Sequence, residues 1–258
     1  MLISTSPQIT DPDTSTIRLV IEKMRAYKGL EDVPVLVMCD GVYDSLRYLN
    51  QATLESNTDP SEERLKERTQ KYEEYKLSLL SWCEKNRVDT IVFTEHTHRA
   101  NMTRKSLGMV KTPVVLPLDH DTYVQGDVPW DRMQRVMQNP EVNSVRFYYM
   151  EGIHEQHTHL VQYPIQMIEG VPLLKTKQYG DRPNLQKTDW LRWFIQTYIH
   201  PQSKMFIEEM AWPVIHNAGW EGWHQFKTWL YAPENMNCCV HLGTRGDLPM
   251  AIPVVAHG

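Results

Sequence analysis

The run Thr112-Pro-Val-Val-Leu-Pro-Leu-Asp-His-Asp121 constrains this chain more than any other stretch, because an almost wholly apolar segment ends in two carboxylates separated by one residue. A continuous apolar run of this kind reads as a strand buried on both faces of an α/β sheet. Ligands of open α/β sheets gather outside the carboxyl ends of the strands, so Asp119 and Asp121 are expected to face a ligand. Two hard oxygen donors suit Mg²⁺ or Mn²⁺, which take one or two carboxylates and complete their shell with phosphate oxygens and water. Asp-x-Asp alone also describes a surface turn. The reading therefore rests on the apolar run before it and the motifs after it.

With 258 residues, the chain is long enough for one α/β domain. Hydrophobic residues at 41% and charged residues at 23% match a soluble globular protein. No segment approaches the roughly 20 apolar residues needed to span a bilayer, and the first 16 residues lack a basic region followed by an apolar core. The expected location is the cytoplasm, or the host cytoplasm for a viral chain. Cys39, Cys83, Cys238 and Cys239 lack paired-ligand spacing and read as reduced, buried residues. A net charge of -5 removes any global basic signature for nucleic acid and leaves room only for a local groove. Nothing in the sequence sets the oligomeric state.

Val33-Pro-Val-Leu-Val-Met-Cys-Asp40, followed by Gly41, reads as the first strand. A charged helix is expected over 59–86, a strand over 88–94, a helix over 101–110, and then the strand that ends at Asp119. Alternation of strand and helix is the pattern of a right-handed parallel sheet. Further strands are expected over 143–151 and 158–167, with helices over 185–199 and 203–211.

The order from Val88 to Asp121 is a strand, a helix bearing Arg99, Asn101, Arg104 and Lys105, an apolar strand, and Asp-His-Asp. It resembles the nucleotide-sugar-binding half of GT-A fold glycosyltransferases, especially the family 2-like group. The resemblance implies a single α/β, Rossmann-like domain: a mixed, mainly parallel sheet flanked by helices, with 30–125 binding the nucleotide-sugar and 126–258 the acceptor. It implies a metal-dependent transfer of sugar from a UDP-sugar to a hydroxyl. The divalent cation would sit at Asp119 and Asp121, with His241 completing its shell. Asp40 and Asp44 would meet the base or ribose, and Arg104 and Lys105 would serve the donor. An acidic residue of the pair Glu208 and Glu209, with Glu209 preferred, would deprotonate the acceptor. His120 at the middle of the motif is less usual than a small or acidic residue, which leaves Mn²⁺ against Mg²⁺ open.

The chemistry asks for these residue types. A diphosphate leaving group develops negative charge that a bound cation stabilises, and Arg245, in a glycine-flanked segment, could clamp phosphate as a bidentate donor. The acceptor hydroxyl needs a positioned base, and if a glutamate fills that role, single displacement with inversion follows. Asp181 and Arg182, in a turn-rich stretch, and the indoles of Trp212, Trp220 and Trp223 are candidates to contact the acceptor; core packing is the simpler account of at least half of the tryptophans. Three competing readings stand beside this one. His154, His157 and His159 evoke a zinc hydrolase but lack the helical His-Glu-x-x-His spacing. A nucleotidyltransferase also uses paired carboxylates on a sheet, although no Gly-rich phosphate loop lies near the Val33–Asp40 strand. A sugar-nucleotide-binding module without activity would carry the same motifs. The acceptor is open between a glycan and a hydroxymethylated base in DNA.

Overall fold

The computed structural model describes residues 1–6, 13–42 and 62–242. The chain opens with a strand the sequence did not announce. Leu2–Thr5 (β1) is buried throughout and pairs in parallel with Leu36–Cys39 (β2) on one side and Pro117–Asp119 (β5) on the other. With Asp89–Val92 (β3) beyond β2, the result is a parallel sheet of order β3-β2-β1-β5. The segment ending at Asp40 is thus the second strand, not the first. Four residues are too few to show periodicity, and only the pairing with two later strands identifies β1.

Helices Ser15–Arg25 (α1), Glu62–Lys85 (α2) and His98–Ser106 (α3) connect these strands. The α1 helix buries Ile17, Val20, Ile21 and Met24 at helical spacing. The run 112–121 is buried at Val115, Leu116 and Leu118, as expected, but it is not one strand. Val114–Val115 (β4) joins a second sheet, and β5 joins the parallel one. Pro117 lacks the N–H that a continuous ladder would need, and the backbone changes sheets there.

The second sheet has six strands in the order β4-β10-β7-β11-β9-β8. Its members are Ser144–Arg146 (β7), Val161–Ile168 (β8), Val171–Thr176 (β9), Asn184–Lys187 (β10) and Thr228–Tyr231 (β11), with β4 at one edge. Only β7 and β11 run parallel; the other pairs are antiparallel. The strand expected over 143–151 stops at Arg146, and the one expected over 158–167 is preceded by a 3-10 helix, Glu155–Leu160. The helix expected from residue 185 follows β10 as Thr188–Tyr198 (α5). The helix expected over 203–211 is Ile207–Asn217 (α6), followed by Gly219–Phe226 (α7). Trp130–Val136 (α4) precedes β7.

One apolar cluster joins both sheets through Ile3, Val37, Leu118, Val145 and Trp229, and a second packs α3, α5 and α6 through Ala100, Phe194, Ile195 and Ile207. All four cysteines are free and buried, as their spacing implied. Among the described residues no helix is long and apolar enough to cross a membrane.

Candidate functional site

Asp119 and Asp121 lie at the carboxyl end of β5, where the chain turns into Thr122–Val124 (β6). A far-downstream strand, Cys239–His241 (β12), pairs antiparallel with β6 and places His241 opposite Thr122. His241 Nε2 then stands 3.3 Å from Asp121 Oδ2, and Leu242 N donates to Asp121 O at 2.8 Å. The two residues that the resemblance assigns to a metal are therefore neighbours.

Asp119 has other partners. Its Oδ2 is 2.5 Å from Arg99 Nη1, and its Oδ1 accepts from Ser4 Oγ at 3.0 Å. Arg99 also donates through Nη2 to Asp181 O at 2.9 Å. Burial opposes the charge of Arg99, but Asp119 and Asp181 overcome it and raise its pKa. Among the described residues no three His, Cys, Asp or Glu side chains group as a metal cage. A divalent ion that draws most of its shell from a diphosphate and water needs no more than one or two protein carboxylates. Asp121 with His241 fits that requirement.

A second acidic group is joined to Asp119 through Arg99. Asp181 Oδ1 accepts from Glu208 N at 3.2 Å, and Glu208 Oε2 accepts from Asp181 N at 2.9 Å. Asp181 Oδ2 is buried with no hydrogen-bond partner among the described residues. Burial, helped by Asp119 and Glu208 against the pull of Arg99, raises the Asp181 pKa to about 7. The preferred Glu209 points elsewhere. Its carboxylate accepts from Phe206 N at 2.6 Å, satisfying a free amide at the start of α6. Adjacent helical residues face different directions, and here it is Glu208 that reaches the cluster.

Asp40 occupies the end of β2, almost fully buried. Its carboxylate accepts from Gly41 N at 2.8 Å, Thr97 N at 2.7 Å and His98 N at 3.0 Å, and lies 3.0 Å from His96 Nδ1. Gly41 is required there, because a Cβ would fall 2.1 Å from the Glu95 carbonyl carbon. These bonds fasten the β2 loop to the start of α3. Asp40→Ala should therefore cost about 3 kcal/mol in urea unfolding, since hydrogen bonds to a charged acceptor are each worth roughly 1.5–3 kcal/mol. Unchanged stability with weakened UDP binding would instead return Asp40 to the nucleotide.

The other expected residues divide. Arg104 donates to Ile195 O and Ile199 O and so ties α3 to the end of α5, while Lys105 sits over the Phe93 ring. Arg182 stacks on Tyr149 with its Cζ 3.5 Å from the ring centroid. Trp212 stacks on His216, and Trp220 faces Lys177. Trp223 is a core residue whose Nε1 donates to Thr176 O and Thr228 O. Asp44 and Arg245 lie outside the described residues. His154 and His157 cluster around Tyr148 Oη, which is 2.8 Å from His157 Nδ1 and accepts from His154 N. His157 and His159 belong to the 3-10 helix, not to a strand. Two site residues were not singled out from the sequence: Ser4, hidden in the unrecognised β1, and Arg146, whose signal is a lone charge inside the buried run Val145-Arg-Phe-Tyr.

The parallel β3-β2-β1-β5 sheet, the carboxylates at the end of β5 and the β6–β12 ribbon beside them complete the picture. The fold is mixed α/β, with a parallel sheet flanked by helices. No protein-family model and no curated protein sequence matches the chain. Among solved structures it is similar to the mannosyltransferase PcManGT from Pyrobaculum calidifontis in complex with GDP-Man and Mn²⁺, with 11% identity and a TM-score of 0.49, over 95% of this chain and 58% of that one. It is also similar to S. aureus TarS, with 9% identity and a TM-score of 0.46, over 81% of this chain and 31% of that one. A UDP-glucose pyrophosphorylase complexed with UDP-glucose gives 11% identity and a TM-score of 0.44, over 91% and 90% of the two chains. The chain spans less than two thirds of the length of the first two of these proteins.

Proposed function

We propose that this GT-A-like chain is a divalent-cation-dependent glycosyltransferase that moves a sugar from a nucleotide-sugar, specifically a UDP-sugar, to a hydroxyl of a glycan acceptor with inversion. The observation that carries this reading is the link made by Arg99, which joins Asp119, in the turn that bears Asp121, to the backbone of Asp181 in a second acidic group. Asp121 with His241 stands at the end of β5, and Asp181 with Glu208 stands beyond Arg99. Asp121 and His241 would hold Mg²⁺ or Mn²⁺, which neutralises charge on a departing diphosphate. Arg99 fixes Asp119 and the Asp181 backbone in one piece, so the two groups keep their spacing. Asp181 Oδ2, buried and without a hydrogen-bond donor among the described residues, would accept the hydroxyl proton, and a base with a pKa of about 7 is well matched to neutral pH. Glu208 holds the Asp181 amide and keeps that oxygen in position. A single carboxylate acting as base, with no covalent partner, leads to inversion.

The test supplies UDP- and GDP-sugars with Mg²⁺ or Mn²⁺ and a panel of acceptors that includes hydroxymethylcytosine DNA. Release of nucleoside diphosphate with glycosylation of a glycan is the expected result. Pyrophosphate formed from a nucleoside triphosphate and a sugar phosphate, without diphosphate release, would make the chain a nucleotidyltransferase instead. Glycosylation of DNA, with its steep salt dependence, would replace the glycan acceptor.

A further inference from the structure

We propose that Arg146 and Arg182 form a binding site for an oxyanion, a carboxylate or a phosphate monoester, carried by the acceptor beside Asp181 and Glu208. The proposal rests on the transferase reading above. Arg146 ends β7 and is 4% exposed. Its Nε and Nη1 are buried and have no hydrogen-bond partner among the described residues. Burying a guanidinium is costly unless its N–H groups are paired. The neighbours do not pair it. Tyr148 offers a ring face 5.8 Å away, and the Glu208 carboxylate is engaged by Asp181 N.

A second guanidinium stands close by. Arg182 lies flat on Tyr149, and its field adds to the stress on Arg146. Burial pulls the Arg146 pKa down, Glu208 opposes, and Arg182 pushes the same way as burial. The His157 pKa is lowered as well, by burial and then by Arg146, so the histidine does not compensate. Gly180 completes the arrangement. A Cβ there would stand 3.2 Å from Arg146 Nη2 and 3.3 Å from Cζ, so even a methyl group would crowd the guanidinium. Two neighbouring cations, one of them buried with donors that are idle among the described residues, make a place for an anion that Glu208 does not fill.

The acceptor is the natural source of that anion. Donor diphosphate is assigned to the Asp121–His241 side, whereas Arg146 and Arg182 act on Glu208, Tyr148 and Tyr149. A guanidinium this buried is reached by a small terminal group and not by a phosphodiester within a duplex. Arginine is also the side chain best shaped to bind carboxylate or phosphate through more than one N–H.

The test titrates inorganic phosphate and glucuronate, with glucose as the uncharged control, into protein saturated with UDP and Mg²⁺. Wild type should bind phosphate or glucuronate and not glucose, and UDP should not displace the anion. Arg146→Met should weaken anion binding by roughly tenfold to a hundredfold, the range expected for losing a hydrogen bond to a charged group. Arg146→Lys, which keeps the charge but loses the planar fork, should fall between. Gly180→Ala should weaken the anion by crowding Arg146 while leaving every charge in place. If Arg146→Met fails to fold, Arg182→Met and Gly180→Ala decide. Equal anion affinity in wild type and these variants would overturn the proposal. Competition between UDP and phosphate would assign the arginines to the donor diphosphate, and displacement of phosphate by duplex DNA would assign them to a nucleic-acid backbone; either result overturns it. Absence of UDP binding would defeat the transferase reading, and the same titration on nucleotide-free protein would still test the arginine pair.

Discussion

Asp121→Ala should abolish cation-dependent binding of the nucleotide-sugar. Asp121 is the carboxylate of the 119–121 pair proposed to hold the cation, because Asp119 is engaged by Arg99 and Ser4. Without it, the diphosphate faces Asp119 with nothing to neutralise it. Calorimetry with UDP, with and without Mn²⁺, checks this: wild type should gain affinity from the metal and the variant should not. His241→Ala should reduce the metal-dependent gain without eliminating it, since His241 is half-exposed and a water can take its place. An unchanged Mn²⁺ effect in Asp121→Ala would remove this residue from the metal site.

The second large effect concerns Asp181. Asp181→Asn keeps the shape and deletes the base, so turnover should fall by roughly 10²–10⁴-fold with donor affinity near wild type. In wild type, kcat/KM should rise with pH through about 7, as the carboxylate loses its proton. The sign for stability is opposite. A carboxyl group whose folded pKa is raised keeps its proton where the unfolded chain has released it, so stability falls as pH rises from the ordinary aspartate range to about 7. Asp181→Asn should flatten that slope. Glu208→Gln removes one of the charges that raise Asp181, which should move the rising limb of the rate profile to lower pH. Glu209→Gln, still able to accept from Phe206 N, should leave turnover unchanged. Turnover lost in Glu209→Gln and kept in Asp181→Asn would return the base to Glu209.

The parallel sheet was legible because an apolar run ending in carboxylates is a local signature, whereas His241 was expected near Asp121 only from the resemblance. β1 was not legible because its identity lies in its partners. Choosing between Glu208 and Glu209 requires knowing which side of α6 meets Asp181, and two neighbouring glutamates read alike in a sequence. Asp181 was read as an acceptor contact in a turn-rich stretch, not as a base. Its altered acidity comes from burial near Asp119 and Glu208, which are distant in the chain. The contacts of Arg104 were illegible for a related reason: a helix-surface arginine and one that donates to the end of another helix have the same local context.

The pairing of β12 with β6 also bears on how the protein matures. The histidine that meets Asp121 comes from a strand separated from it by five of the six strands of the second sheet and by helices α4 to α7. Contacts of such long sequence separation form late, since their loop-closure entropy is recovered only after the intervening chain has ordered. A partly folded chain can hold the Asp-x-Asp turn but not its histidine. On the proposed reading, the full strength of cation binding would come only with completed folding, when β12 has paired with β6.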